Sequence, residues 1–224
     1  MCGAMHAVVE SVLPERIAAQ LPASAPPAPW STRLHAVVWW HRATPAAPAA
    51  MPELLCSRRR LGLTVAAFVR YLDTPVGGYH EIAATPALLL DWPVPAATVP
   101  FIAVDSLASI VGGRVNWALP KTHARFEWPE DRLDLVARGD GWSVAAHVRP
   151  HGPVFPFAAV ARDRQVGADG DELLMRIRGR GRARLGRAMV RVVGPELPAW
   201  LRNGRHPAIV IAGARVRFSA PRLE

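Results

Sequence analysis

Short segments rich in β-branched and aromatic residues, each interrupted by glycine or proline, recur along most of this chain. Its 224 residues include 17 glycines and 22 prolines. Apolar runs of this length, bounded by turn-forming residues, are typical of β-strands. Many short strands with few helices favour a mainly β, predominantly antiparallel (β-rich α+β) domain with small peripheral helices. The predicted strands span residues 33–41, 60–72, 79–84, 98–104, 124–128, 132–138, 142–148, 172–177, 181–193 and 208–218.

Helical signals are few. Residues 10–21 predict a short N-terminal helix, followed by an Ala/Pro linker over 22–29. A second helix is predicted over 105–111, with Asp105 as N-cap and Gly112-Gly113 ending it. A helical turn is predicted over 195–202. The length fits one domain, which we place at 31–224 behind an N-terminal helix and linker over 1–30.

The chain is strongly basic, with a net charge of +9 and a sequence pI near 11.1. The cations are scattered arginines, and the stretch 176–191 has no interleaved aromatic residues on which bases could stack. We therefore interpret it as a solvated strand face and expect no nucleic-acid partner. No signal peptide or membrane span is predicted, and Cys2 and Cys56 have no metal-ligand spacing. These features predict a cytoplasmic protein without a metal or cofactor.

Lys121 is the only lysine among 27 lysines and arginines. Lysine can lose its proton and attack a carbonyl as a free amine, whereas arginine stays protonated. The approach to Lys121 is apolar (Trp117-Ala118-Leu119) and ends at Pro120. Two interpretations are equally supported by the lone residue: a Schiff-base nucleophile, or an ordinary surface lysine.

Two motifs favour the first interpretation. Gly77-Gly78-Tyr79-His80-Glu81 is followed, forty positions after its glutamate, by Lys121 at the end of Gly113-Arg114-x₄-Pro120-Lys121. In order and spacing, these motifs resemble the acetoacetate decarboxylase superfamily from about Leu61 to His123. The resemblance implies an antiparallel β fold around a central pocket. It also implies a homo-oligomer that acts on a small keto acid.

The resemblance gives Lys121 the role of Schiff-base nucleophile and Glu81 that of orienting the amine or moving protons. Tyr79 would donate a hydrogen bond to a substrate oxygen, with a core tyrosine as the alternative. Arg114 would bind the substrate carboxylate, with a structural ion pair, to Glu81 or another acid, as the alternative. His80 should face away from Glu81, because neighbouring strand residues alternate.

The sequence departs from the decarboxylases at two positions. Thr122 replaces a second lysine after the nucleophile, and a further glutamate is missing near Ala66. Decarboxylation of an acetoacetate-like β-keto acid is the leading activity. Schiff-base aldolase-dehydratase chemistry on pyruvate-like substrates is the second, and a non-catalytic small-molecule or anion-binding protein is the third. Without a neighbouring lysine, we expect desolvation by the apolar approach to depress the pKa of Lys121. Acetoacetate decarboxylase is the standard example of a lysine whose pKa is lowered by desolvation or by a neighbouring cation.

Overall fold

A computed structural model of the protein describes residues 6–130 and 132–224. Cys2 and the start of the 1–30 segment lie outside the described residues. The strands are β1 (Trp30–Arg42), β2 (Arg60–Leu61), β3 (Leu63–Asp73), β4 (Tyr79–Thr85), β5 (Leu88–Leu89), β6 (Ala96–Ala97), β7 (Phe101–Val104), β8 (Thr122–His123), β9 (Arg125–Glu127), β10 (Asp134–Gly139), β11 (Trp142–Val166), β12 (Glu172–Val193), β13 (Gly204–Phe218) and β14 (Arg222–Leu223). The α-helices are α1 (Glu15–Ala18), α2 (Glu53–Cys56), α3 (Leu107–Trp117) and α4 (Leu197–Trp200), and 3₁₀ turns span Val9–Ser11 and Ala47–Ala50.

The strands form a large, mainly antiparallel sheet, as predicted. Its order is β2-β5-β6-β11-β12-β13-β1-β3-β4-β7-β8, with β9, β10 and β14 attached at the side. Two pairs are parallel, β6 with β11 and β7 with β8. No helix in the described ranges has the length and apolar character needed to cross a bilayer.

The hairpin of β11 and β12 is longer than predicted, with strands of 25 and 22 residues. The sequence pattern predicts all of β12 except 178–180 but only 142–148 of β11, because Pro150, Pro153 and Pro156 interrupt the middle of that strand. In that stretch β11 pairs with β12 alone, while its other side meets β10 up to His147 and β6 from Arg162. An edge strand tolerates proline because a missing N–H on the open side breaks no ladder hydrogen bond.

The helix after β7 also differs from its prediction. It starts one residue after Asp105, at the N-cap Ser106, whose side chain accepts a hydrogen bond from the Ser109 N–H at 3.2 Å. It continues through Gly112 and Gly113 and ends at Ala118, which adopts a left-handed φ of 52°. Gly112 is needed for packing, since a Cβ there would lie 2.5 Å from the Trp30 ring.

The predicted N-terminal helix over 10–21 is reduced to the 3₁₀ turn and α1. Pro14 separates the two and is the N-cap of α1 with an extended ψ of 141°. Proline disfavours helical geometry in the residue before it, so the helix begins only after Pro14. The helical turn predicted over 195–202 is confirmed by α4.

Alternate residues of the central strands enter two different cores. Ile82 and Phe68 belong to the larger core, together with Trp39 and Phe101. Tyr71 and Tyr79 belong to a second core on the opposite side, with buried residues of β1, β7 and α3. The period-2 alternation of β3 and β4 thus separates a purely structural face from the face that carries the candidate site.

A buried histidine links β1 to the turn after α4, and it makes stability pH-dependent. The His41 Nδ1 lies 2.9 Å from the Arg42 carbonyl, and its Nε2 accepts the Arg202 N–H at 3.0 Å. Burial lowers the pKa of His41 below its ordinary value of 6.5, and the charges of His206 and Arg202 lower it further, outweighing the bond to Arg42. The folded state therefore takes up its proton at lower pH than the unfolded state.

This contribution to stability is complete above the unfolded pKa and is lost as the pH falls below it. We expect the free energy of unfolding to decline between about pH 7.5 and 5, and His41→Asn to flatten that decline. Denaturant titrations at several pH values measure this dependence of the free energy of unfolding on pH. His151→Asn, at an exposed histidine of β11, is the control and should leave the slope unchanged. An equal effect of both variants would contradict the assignment.

Candidate active site

Lys121 lies at the junction between α3 and β8. The Arg114 Nε donates a hydrogen bond to the Lys121 carbonyl at 2.8 Å, which ties the lysine backbone to the last turn of the helix. The next residue, Thr122, pairs with Ala103 of β7. These contacts direct the lysine side chain inward, where the residue is 3% exposed. The surface-lysine interpretation is therefore wrong.

Glu81 meets Lys121 in the interior. It lies on β4, opposite Val69 of β3 and Val104 of β7, and is 6% exposed. The Lys121 Nζ donates to the Glu81 Oε2 at 2.6 Å. The expected convergence of these two side chains, forty positions apart in sequence, is observed. Such a contact can hold the amine in place and carry a proton between nitrogen and oxygen.

Two further side chains complete the polar surroundings of this pair. The Tyr71 hydroxyl donates to the Glu81 Oε1 at 3.2 Å, and the Lys121 Nζ donates to the Ser109 Oγ at 3.1 Å. Neither residue is picked out by the sequence motifs. Tyr71 could have been found from register, because it pairs with Tyr79 across the β3–β4 hairpin. Ser109 could have been found from its spacing of four to Gly113 on one helical face.

Tyr79 forms an aromatic wall beside the amine. Its ring centroid lies 5.3 Å from the Lys121 Nζ and stacks on Tyr71 at 4.3 Å between centroids. Burial raises the pKa of the Tyr79 phenol above its ordinary value, against the opposing charge of Lys121. Tyr79 is therefore a neutral hydrogen-bond donor at physiological pH and is also part of the second core.

Arg114 is half-buried, and burial lowers the pKa of its guanidinium. Across residues 6–130 and 132–224 it makes no ion pair with an acid, so the alternative of a structural ion pair with Glu81 is wrong. Its described contact is with the Lys121 backbone. Binding of a substrate carboxylate by Arg114 remains a prediction.

His80 faces away from the pair, as predicted from alternation. Its Nδ1 lies 2.8 Å from the Asp105 Oδ2, and its ring stacks on Phe126. His80 thus belongs to the other side of β4 and joins that strand to the start of α3.

The expected depression of the Lys121 pKa is wrong for this structure. Burial does lower the pKa of Lys121, but the charge of Glu81, with further contributions from Tyr79 and hydrogen bonds to both, raises it above its ordinary value. The apolar approach does not surround the amine either. Trp117 and Leu119 pack instead with Trp30 and Ile102 in a separate core.

The two positions at which the sequence departs from the decarboxylases have different surroundings. Ala66 lies in the larger core, on the face of β3 opposite to the candidate site. On the site face of β3, Tyr71 contacts Glu81. Thr122 is buried and its hydroxyl donates to the Val12 carbonyl at 3.1 Å, which ties the N-terminal segment to β8.

Comparison with solved structures identifies the fold. An acetoacetate decarboxylase from Legionella pneumophila matches with a TM-score of 0.66 and 15% identity over 91% of this chain and 90% of that chain. An acetoacetate decarboxylase-like enzyme from Sphingomonas wittichii RW1 matches with a TM-score of 0.64 and 13% identity over 89% and 94%. The enduracididine biosynthesis enzyme MppR, complexed with pyruvate, matches with a TM-score of 0.64 and 12% identity over 90% and 92%.

No protein-family model and no curated protein matches the sequence. The chain has the acetoacetate decarboxylase-like fold, which confirms the fold class implied by the two motifs.

Gly113 provides a test of the site geometry. A Cβ at this position would lie 2.5 Å from the Lys121 Cδ and 2.7 Å from its Cε. We expect Gly113→Ala to displace the flexible lysine chain from Glu81 while the helix persists, since alanine is the better helix former by ~1 kcal/mol. Reactivity of the Lys121 amine toward a carbonyl should fall at least about tenfold, with an unchanged circular dichroism spectrum.

Gly62→Ala is the control for this variant, because nothing lies within 4 Å of a Cβ there. Its amine reactivity should equal that of the unmodified protein. Full reactivity in Gly113→Ala would show that the lysine amine does not need to lie beside Glu81 to react.

Proposed function

We propose that this chain is a lyase that forms a Schiff base between Lys121 and a small keto acid, and that it decarboxylates an acetoacetate-like β-keto acid. The observation that carries the proposal is the buried contact of 2.6 Å between the only lysine and Glu81. The fold it shares with acetoacetate decarboxylase supports the same chemistry. From the family resemblance we also expect a cytoplasmic homo-oligomer that needs no cofactor.

The first step is formation of the nucleophile. The raised pKa of Lys121 means that the ammonium is the resting form. Glu81 is the acceptor in contact with it, so the proton passes along the Nζ–Oε2 hydrogen bond. The free amine then attacks the ketone carbon. The ketone oxygen takes one proton from the protonated Glu81 and a second from the attacking nitrogen, carried over by the same carboxylate. Water leaves and a cationic iminium forms on Nζ.

The second step uses the iminium as an electron sink. The electrons of the bond to the carboxylate carbon move toward nitrogen, CO₂ leaves, and a neutral enamine remains. Protonation of the enamine carbon and addition of water return the amine and release the ketone. The Glu81 carboxylate, in contact with Nζ, can stabilise the cation, and the proton for the enamine carbon comes from water.

The second candidate is aldol condensation and dehydration on a pyruvate-like substrate. MppR, whose structure is similar, was solved with pyruvate and with the condensation product of pyruvate and imidazole 4-carboxaldehyde. Thr122 in place of a second lysine also favours an activity other than decarboxylation. Release of CO₂ from acetoacetate distinguishes the two candidates, because the aldol reaction releases none.

Imine trapping tests the shared step. After incubation with acetoacetate or pyruvate and reduction with borohydride, we expect a mass adduct on the peptide that contains Lys121. The chain has no other side-chain amine, so the adduct is easily assigned. Lys121→Arg keeps the positive charge and should give no adduct, since a guanidinium stays protonated. Failure of a broad keto-acid panel with folded protein would instead favour the non-catalytic binding protein.

The Glu81 carboxylate has two proposed effects: its charge raises the pKa of Lys121, and its oxygen accepts the lysine proton. The variant Glu81→Gln tests both. Without its charge, desolvation dominates and the pKa of Lys121 falls, so the amine becomes free at lower pH. The proton acceptor is lost at the same time. We expect the pH profile of imine formation to shift to lower pH and its plateau rate to fall by at least about 10²-fold. Rapid-quench borohydride trapping across pH measures both.

Glu53→Gln, at an exposed glutamate of α2, is the matched control and should change neither quantity. An unchanged plateau rate in Glu81→Gln would remove Glu81 from the proposed mechanism.

A further inference from the structure

A concave surface lies on the outer face of the sheet. It is a groove of about 770 Å³ that crosses β12, β13 and β1. It contains two parallel rows of side chains, set by the strand register. One row is Arg180, Arg215 and Arg33, and the other is Arg178, Arg217 and Ser31. We call this surface the arginine groove.

The arginine groove faces away from Lys121. Arg33 is exposed, whereas its neighbour Leu34 is buried in the second core with Tyr71 and Tyr79. The same alternation on β13 exposes Arg215 and buries Ala214. The groove is therefore separate from the candidate active site, and a ligand there would not contact the reacting amine.

Five guanidiniums line the groove, and within the described ranges none of them forms an ion pair with an acid. Like charges placed directly opposite each other on neighbouring strands destabilise a sheet. The row from Arg180 to Arg33 repeats this unfavourable pairing across three strands. A planar guanidinium binds phosphate or carboxylate through two parallel hydrogen bonds. An anion lying between the rows would offset the repulsion.

The ends of the groove limit the size of that anion. At one end Asp73 of β3 lies opposite Arg33 in the strand register, and its carboxylate would repel a continuing phosphate chain. At the other end Ala158 and Val160 of β11 pair with Arg180 and Arg178 and supply no charge. The basic section covers two strand spacings, roughly 10 Å. None of the residues that line it is aromatic, so it offers no stacking surface for bases.

We propose that the arginine groove binds a compact polyanion that carries two or three phosphate groups. The double row of arginines accounts for the multiple charges. The acid at one end and the uncharged residues at the other account for the limited length. A single-stranded nucleic acid fits less well because it needs a longer track and stacking surfaces.

Calorimetry with inorganic triphosphate tests the proposal, with inorganic monophosphate as the comparison. Triphosphate should bind more tightly than monophosphate. Arg180→Gln combined with Arg215→Gln should weaken triphosphate binding at least about tenfold, because each substitution removes charged hydrogen bonds. Arg125→Gln combined with Arg191→Gln removes the same charge from exposed positions outside the groove and should weaken it less than about twofold.

Three results would overturn the proposal. Equal weakening by both double variants would show that binding follows net charge alone. Equal affinity for monophosphate and triphosphate would show a single-anion contact. Tighter binding of an unstructured oligonucleotide than of triphosphate, lost in the groove variant, would identify a nucleic-acid surface instead.

Thermal unfolding without ligand gives a second readout. Because the arginines repel one another, the groove double variant should have an equal or higher Tm at low salt than the unmodified protein. A lower Tm would show that these arginines stabilise the fold, and the ligand proposal would be wrong.

Discussion

The buried contact between Lys121 and Glu81 restricts how the strands and the helix around it can pack. Two charges removed from water are stabilised only if their geometry is good and their remaining hydrogen-bonding capacity is used. Tyr71 and Ser109 meet that demand by bonding the second carboxylate oxygen and the ammonium. Losing one partner from such a pair costs about 3–5 kcal/mol. The strands and the helix that deliver these four side chains must therefore meet in a fixed arrangement.

The sheet topology supplies that arrangement. The candidate site draws on β3, β4, α3 and the junction before β8, and β4 lies between β3 and β7. Strands β7 and β8 are parallel, so the chain must cross over between them, and α3 is the crossover. This crossover lays the face of Ser109 and Gly113 against the lysine. Gly113 leaves the space that the lysine stem occupies.

The sequence predicts the parts of this arrangement that depend on local pattern. Alternation and turn residues locate most strands, and the ordered motifs identify Lys121 and Glu81. The prediction fails where partners from distant segments decide the outcome. Proline in β11 is allowed because one side of that stretch is unpaired, and Gly112 sits inside α3 because Trp30 packs against it. Neither neighbour is visible in the local sequence.

The pKa of Lys121 is a second case in which a distant segment overrides the prediction from neighbouring residues. Its neighbours in sequence are apolar and favour desolvation, but those side chains pack elsewhere and a carboxylate forty positions away faces the amine. Burial is the largest single effect and lowers the pKa of Lys121, but the charge of Glu81, the charge of Tyr79 and the hydrogen bonds to both together outweigh it, so the pKa rises. The apolar neighbours of Lys121 in sequence therefore predict a pKa shift of the wrong sign.

The use of arginine for every other cation has a chemical consequence for the proposed function. A basic exterior attracts anionic keto acids by its long-range field. If that exterior were built from lysines, many amines would compete for the carbonyl. Guanidiniums supply the same attraction and cannot form imines, because they stay protonated. Under the proposed mechanism, a protein with a net charge of +9 still presents a single amine side chain, and this amine is held against the carboxylate that controls its proton.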